Sequence, residues 1–355
     1  MENIIKYLNL SFTKDIGAKT VKKVLDTIGS LENVWDNLDI LKENISEKTL
    51  DKILEALEKP LEETLKTIEL AEKQNVKLIS VEDPLYPQNL KEIPDPPIVL
   101  YAKGNLENLE RSISIVGTRK PSSYGRLVAK SITEFLVENS ITTVSGGALG
   151  IDSVVHKTTV DKNSKTVVVL GSGIDILYPY SNKYLFEKIL EKDGAIITEF
   201  PFGTKPSKFT FPQRNRIVAG ISLATIVVEA PKKSGSLITA NLANSYGKVV
   251  LAVPHNINNP KGEGCNRLIK DGASIITSFE DMVEEIPYLF TNQKDNIKSS
   301  LSPIEDKVLN AIDGLVSIDE ILQKTGLDLE EVLEILTVLE LDGYIINQNG
   351  IYQKI

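Results

Sequence analysis

Cysteine is almost absent from these 355 residues: Cys265 stands alone. One thiol closes no intramolecular disulfide, and the usage fits a reducing, cytoplasmic setting. Histidine is nearly as scarce. His156 and His255 are the only two, and no metal-ligand spacing links them to each other or to the cysteine. No base–nucleophile pair accompanies His156 either, so a structural role on a helix is the expectation for it. No apolar stretch nears the roughly 18 residues of a membrane span. Residues 1–6 lack a signal-peptide pattern, so a cytoplasmic chain with no membrane contact is expected. The Walker lysine pattern is missing. So is the acidic residue that a dinucleotide fold places about 20 residues after its glycine turn. After Ser145-Gly146-Gly147-Ala148-Leu149-Gly150, the next strand-like run ends in Gly171-Ser172-Gly173 instead. No catalytic residue, cofactor or metal is therefore assigned.

What remains is ordinary for a globular protein, with 41% hydrophobic and 25% charged residues, and the length suggests two or three domains. Net charge is −9, yet its distribution is uneven. Residues 111–285 hold 21 Lys+Arg against 16 Asp+Glu; residues 1–110 hold 14 against 21, and residues 286–355 hold 5 against 12. A basic middle lies between acidic flanks.

Residues 1–75 read as helical. Val21, Val24, Leu25 and Ile28 recur at helical spacing, as do Leu50, Ile53, Leu54 and Leu57. Asp15-Ile16-Gly17-Ala18-Lys19 faintly resembles the turn of a helix-hairpin-helix, without its second glycine; a simple bundle turn is the preferred reading. Residues 83–104 carry Pro84, Pro87, Pro94, Pro96 and Pro97 and are expected to form a packed connector with short strands and no helix. From 111 to 280, β-branched apolar runs (113–116, 141–144, 167–170, 195–198, 225–228, 249–253 and 274–277) alternate with helical segments. Runs apolar on both faces and split by helices predict a parallel sheet covered on both sides. Residues 288–303 are polar and read as a linker. Helices at 304–313, 317–325 and 328–341, then strands at 344–347 and 350–353 joined by Asn347-Gln348-Asn349-Gly350, predict a winged helix. The expected fold class is α/β: an extended, Rossmann-like, mostly parallel sheet over 81–287, an N-terminal helical domain over 1–80 (SAM- or helix-hairpin-helix-like), the linker 288–303, and a C-terminal winged helix over 304–355.

The candidate site lies where such sheets bind ligands, beyond the carboxyl ends of the strands. Three glycine turns fall there: Gly117-Thr118-Arg119, Ser145-Gly146-Gly147 and Gly171-Ser172-Gly173. Phe211-Pro212-Gln213-Arg214-Asn215-Arg216 reads as a helix start, whose unpaired N–H groups would seat an anion. Ser234-Gly235-Ser236 opens another helix and adds hydroxyl donors. Arg119, Lys120, Lys205, Lys208, Arg214, Arg216, Lys232 and Lys233 surround these turns, with Phe209 and Phe211 among them. Glycine lets a phosphate approach the backbone, and rings beside cations hold single-stranded nucleic acid by stacking and charge pairing. The same residues also fit a buried role, with the phenylalanines in the core and the arginines in ion pairs. Glu199 and Glu229, near strand ends, read as caps or as partners of Arg214 or Arg216.

Taken together, these motifs resemble the DNA-processing protein A (DprA/Smf) family. The resemblance rests on Ile115-Val116-Gly117-Thr118-Arg119 with Ser122 and Tyr124-Gly125, the 145–152 turn, Leu170-Gly171-Ser172-Gly173 with Tyr178-Pro179, the 211–220 run, Val228-Glu229-Ala230, the 234–240 run, and Asn266-Arg267-Leu268-Ile269 with Gly272-Ala273. It is dense over 83–280 and looser at both ends. The family implies a non-enzymatic protein of natural transformation that binds and protects incoming single-stranded DNA, loads the RecA recombinase, and dimerises through the Rossmann-like domain. By position it implies DNA contacts at Arg119, Lys208, Phe211 and the Ser145, Gly146 and Gly147 turn, with Arg214, Asn215 and Arg216 shaping or lining the same pocket. The glycine-turn and hydroxyl reading of the residues adds Gly171, Ser234, Gly235 and Ser236 as DNA-binding candidates. Leu149 stands where the family often has a basic residue, and His255 where it usually has glycine. Two other readings share the glycine turns. One is a phosphoribohydrolase-like nucleotide enzyme, although the 234–240 run lacks that group's glutamate. The other is a nucleotide-sensing module.

The winged helix carries its own expectation. Residues 328–342 hold Asp328, Glu330, Glu331, Glu334, Glu340 and Asp342 and no lysine or arginine. A recognition helix of that charge repels DNA, so protein contact or regulation is expected of this domain.

Overall fold

In the computed structural model, residues 2–290, 303–312, 314, 316–341, 344–348, 350 and 351–354 are described. They form two compact units, Met1–Leu289 and Phe290–Ile355. Most of the expected linker lies outside the described residues.

The first unit begins with helices α1 (Glu2–Phe12), α2 (Ala18–Ile28), α3 (Leu38–Asn44), α4 (Glu47–Glu58) and α5 (Glu62–Lys73). Their apolar stripes do what the spacing predicts: Val21, Val24 and Ile28 of α2 and Leu50 and Ile53 of α4 are buried. Buried Asn9 ties α1 to α4 and α5. Its amide donates to the carbonyls of Ala56 (2.7 Å) and Lys59 (2.8 Å), and its oxygen accepts from Leu61 N and Thr64 Oγ1. These helices share one hydrophobic core with the sheet that follows.

That sheet holds β1 (Lys77–Ser80), β2 (Val99–Gly104), β3 (Ser112–Val116), β4 (Thr142–Ser145), β5 (Thr166–Val169), β6 (Ala195–Thr198), β7 (Ala224–Val227), β8 (Val249–Ala252) and β9 (Ser274–Ile275) in the order β1-β2-β6-β5-β4-β3-β7-β8-β9. From β6 to β9 all neighbours are parallel, while β1 and β2 add antiparallel strands at one edge. All seven expected parallel strands are present. The proline connector differs from expectation by one turn of helix, α6 (Gln88–Lys91), between Pro87 and Pro94. The six residues between those prolines are long enough for a turn, and it buries Leu90. The crossover helices are α7 (Ser123–Glu138), α8 (Ile151–Asp161), α9 (Lys183–Glu191), α10 (Thr210–Ile221), α11 (Gly235–Ser245) and α12 (Glu263–Lys270), followed by α13 (Glu280–Glu285).

The second unit is α14 (Pro303–Ala311), β10 (Val316–Ser317), α15 (Ile318–Thr325), α16 (Leu329–Leu341), β11 (Ile345–Gln348) and β12 (Ile351–Lys354), with β12 between β10 and β11. This is a winged helix with its own core, including Val308, Ile312, Ile321, Val332, Leu336 and Leu339. A capping box, Ser317 with Glu320, starts α15.

Candidate functional site

The chain winds outward from β3 through β4, β5 and β6, then returns to place β7, β8 and β9 on the other side. At such a reversal the loops after adjacent strands part and leave a crevice at their carboxyl ends. Here the loops after β3, β4 and β7, with the starts of α10 and α11, enclose an open cleft of about 440 Å³.

Phe211 forms one wall. A Cβ on Gly171 would lie 2.8 Å from its ring, so the glycine exists to seat the phenyl group. The Tyr178 ring stands 5.9 Å from it, and the Arg119 guanidinium lies 5.0 Å from its centroid. A half-buried aromatic and an exposed cation therefore face the cleft as a preassembled pair. Lys120 and Lys233 line the same space, as do Thr118, Asn215, Ser234, Gly235 and Ser236. Asn215 Nδ2 donates to Gly235 O (3.2 Å), which links α10 to α11 across the cleft.

Arg214 lies beneath. It is buried, and its Nη1 donates to the carbonyls of Gly146 and Val169, bracing the ends of β4 and β5. A Cβ on Gly146 would sit 2.5 Å from its guanidinium. Burial pulls its pKa down to about 10, with Asp152 opposing and Arg119 adding to the shift. It therefore stays cationic at neutral pH. Asp152 accepts from Ala148 N (3.1 Å), and burial raises its pKa against the pull of Arg214. It is the one carboxylate among the described lining residues.

The expectation of unpaired N–H groups at the start of α10 is corrected. Ser207 Oγ accepts from Phe209 N and Thr210 N (both 3.2 Å), Ser207 O accepts from Phe211 N (3.5 Å), and Pro212 has no N–H. Attraction for an anion there rests on side chains.

The expected residues thus divide. Arg119, Gly146, Phe211, Arg214, Asn215, Ser234, Gly235 and Ser236 line the cleft. Ser145 is buried behind it and donates to Ile115 O (2.7 Å). Gly147, at φ +69°, packs against Val168 and Phe186, and Gly171 lies under Phe211. Exposed Lys208 sits beside the exposed Phe209 ring (5.1 Å), outside the lining. Arg216 does not line this cleft. It faces a separate cavity of about 700 Å³ and pairs there with Glu199 and, at 3.8 Å, Asp95. Burial raises Glu199 to about 7 despite Arg216. Glu229 Oε2 accepts from Ser122 N (2.7 Å) at the start of α7 and pairs with neither arginine. His156 is buried, with Nδ1 bonded to Thr166 Oγ1 (2.8 Å); burial pushes its pKa down to about 3, so it is neutral. Sequence reading passed over Asp152 and Tyr178 as site residues. Both stand in the motifs that carried the resemblance.

Among the described residues no group of three or more His, Cys, Asp or Glu is placed to hold a metal, and no helix is long and apolar enough to cross a membrane.

Fold and cleft together define a doubly wound α/β protein with a cationic, aromatic-walled crevice and an appended winged helix. The chain belongs to the family of DNA recombination-mediator protein A, whose model matches residues 77–287; the DprA winged helix domain matches 293–350. It is 32% identical to Protein Smf of Synechocystis sp., over 98% of each chain. It is also similar to the structure of DNA processing protein A from Streptococcus pneumoniae, at TM-score 0.65 and 32% identity, covering 79% of this chain and 97% of that one. A second similar structure describes the single-stranded DNA binding mode of DNA processing protein A from Helicobacter pylori. Its TM-score is 0.53 and its identity 29%, covering 62% of this chain and 97% of that one.

Proposed function

We propose that this chain binds single-stranded DNA without sequence preference, through the cleft, and performs no chemistry on it. The observation that carries this is Arg119 held over Phe211 at the open mouth of the crevice. A ring stacks any base and a guanidinium pairs any phosphate, so the pair reads no sequence. Lys120 and Lys233 extend the cationic wall. A non-enzymatic role is supported by the lone lining carboxylate, Asp152, being buried and already bonded to Ala148 N. Membership of a recombination-mediator family, and the single-strand binding described for the H. pylori protein, support the same reading.

The finer role follows the family: a cytoplasmic homodimer, joined through the Rossmann-like domain, that protects incoming strands and loads RecA during natural transformation. The acidic α16 fits a winged helix that contacts protein instead of DNA.

The test is fluorescence anisotropy with single-stranded and duplex oligonucleotides of equal length across a salt series. Tight, salt-sensitive binding with single-strand preference is expected. Absence of binding at low salt refutes the reading. Strand exchange by RecA on protein-coated strands then tests loading.

A further inference from the structure

Two strongly exposed tyrosines follow Tyr178 in the chain and take no part in the hydrophobic core. Tyr180 and Tyr184 are 77% and 69% exposed. Tyr180 begins a short turn, Tyr180–Asn182, that runs directly into α9. Residues four apart on a helix share a face, so Tyr184 and Lys188 lie on one face of α9. With exposed Tyr180, in the turn leading into α9, they make up a short stripe. The face that α9 buries is a different one, carried by Phe186 and Ile189. The stripe therefore contributes nothing to the core. Tyr178, two residues before Tyr180 in the chain, has its ring 5.9 Å from Phe211, the wall of the cleft. Lys188 Nζ stands 5.4 Å over the Tyr184 ring and is also paired with Glu191 at 2.6 Å.

We propose that this stripe is a second stacking subsite for the same single strand, which leaves Phe211 over Tyr178 and lays its following bases on Tyr180 and Tyr184. The inference rests on the reading of the cleft given above. Two features set the chemistry. The rings are largely exposed, and a ring face suits a base of any identity. Lys188 is offset by Glu191, so the subsite holds bases and adds little phosphate pairing. Its contribution is therefore insensitive to salt, unlike that of Arg119.

The experiment uses the full chain and oligothymidylates of about 6 and about 15 nucleotides, lengths within the range that single-strand sites span. The Tyr180→Ala/Tyr184→Ala variant is expected to bind the short strand like wild type. On the long strand it should lose at least about fivefold in affinity, the lower bound for one stacked base, with the salt slope unchanged. The Tyr180→Phe/Tyr184→Phe variant keeps the ring faces and should bind both lengths normally. Equal losses on both lengths, or none on the long strand, overturn the proposal. So does an altered sedimentation coefficient with unchanged strand affinity, which assigns the face to contact between copies. Wild type binding neither length overturns the reading of the cleft as well; wild type binding both while the alanine variant matches it on both overturns the subsite alone.

Discussion

The contact between Arg119 and Phe211 separates two ways of holding a strand, and it does so quantitatively. Phe211→Ala removes one stacking face, which costs about 1–3 kcal/mol for a single base. That is a loss of about 5- to 150-fold in affinity. No charge is lost, so the dependence of log K on log salt should keep its slope. Arg119→Ala removes one phosphate contact, and the slope should fall by about 0.7, the value for one contact on a single strand. The two are not independent. With the guanidinium 5.0 Å from the ring centroid, Phe211 also positions Arg119. A cation–π contact at a partly exposed site is worth about 0.5–1 kcal/mol. The double variant should therefore cost less than the sum of the singles by about that amount.

The assay is anisotropy with labelled oligothymidylate for wild type, both single variants and the double, each over a salt series. Thermal melts serve as the folding control; Phe211 is only half-buried and Arg119 is exposed, so all four proteins should melt alike. Strict additivity would refute the view that the ring seats the arginine. A drop in slope for Phe211→Ala equal to that for Arg119→Ala would refute the division between stacking and charge.

Three further outcomes follow from the geometry. Gly171→Ala would put a methyl group 2.8 Å from the Phe211 ring, so strand affinity should fall toward that of Phe211→Ala while the urea midpoint stays near wild type; the reverse pattern counts against the seat. His156 stays neutral in the folded protein down to about pH 3 but takes a proton near pH 6.5 when unfolded, so the unfolded state binds more protons below 6.5 and stability falls as pH drops. At pH 5 this amounts to about 2 kcal/mol relative to pH 7, and the difference in urea stability between wild type and His156→Leu should change by that much, whereas a constant difference refutes the assignment. The isolated winged-helix unit should leave a duplex oligonucleotide unshifted at physiological salt, and retention of the duplex would show that the acid-rich α16 is not the surface that decides.

Much of the fold was legible because the signals were redundant. Each parallel strand shows a β-branched run apolar on both faces, and each is followed by a turn and a helical period, so seven strands fell where expected. β1 was missed because Lys77–Ser80 carries no β-branched run apolar on both faces and follows five helices. It exists because β2 offers an edge to pair with, a tertiary fact that local pattern does not carry. The site was legible in its location and less so in the aim of its side chains. A glycine in a turn after a strand marks a close approach but not what approaches. Gly146 admits the Arg214 guanidinium and Gly171 admits the Phe211 ring, where a phosphate had been expected.

The arginines of α10 are different, because the information was present. Residues two apart on a helix are about 200° apart around its axis. Arg214 and Arg216 therefore face opposite ways on any helix that includes both, and one cleft could hold only one of them. Phe211 settles which. It lies three residues before Arg214, on the same face, and five before Arg216, on the other. Once Phe211 is taken as the stacking wall, Arg214 belongs beneath it and Arg216 must seek a partner across the helix, where Glu199 and Asp95 stand. The same rule predicts opposite consequences for the two substitutions. Arg214→Met should disturb the cleft and strand binding together with stability, since it unties the ends of β4 and β5. Arg216→Met should lower stability, because it leaves the largely covered Glu199 without its cation, while strand affinity per folded molecule stays at the wild-type level.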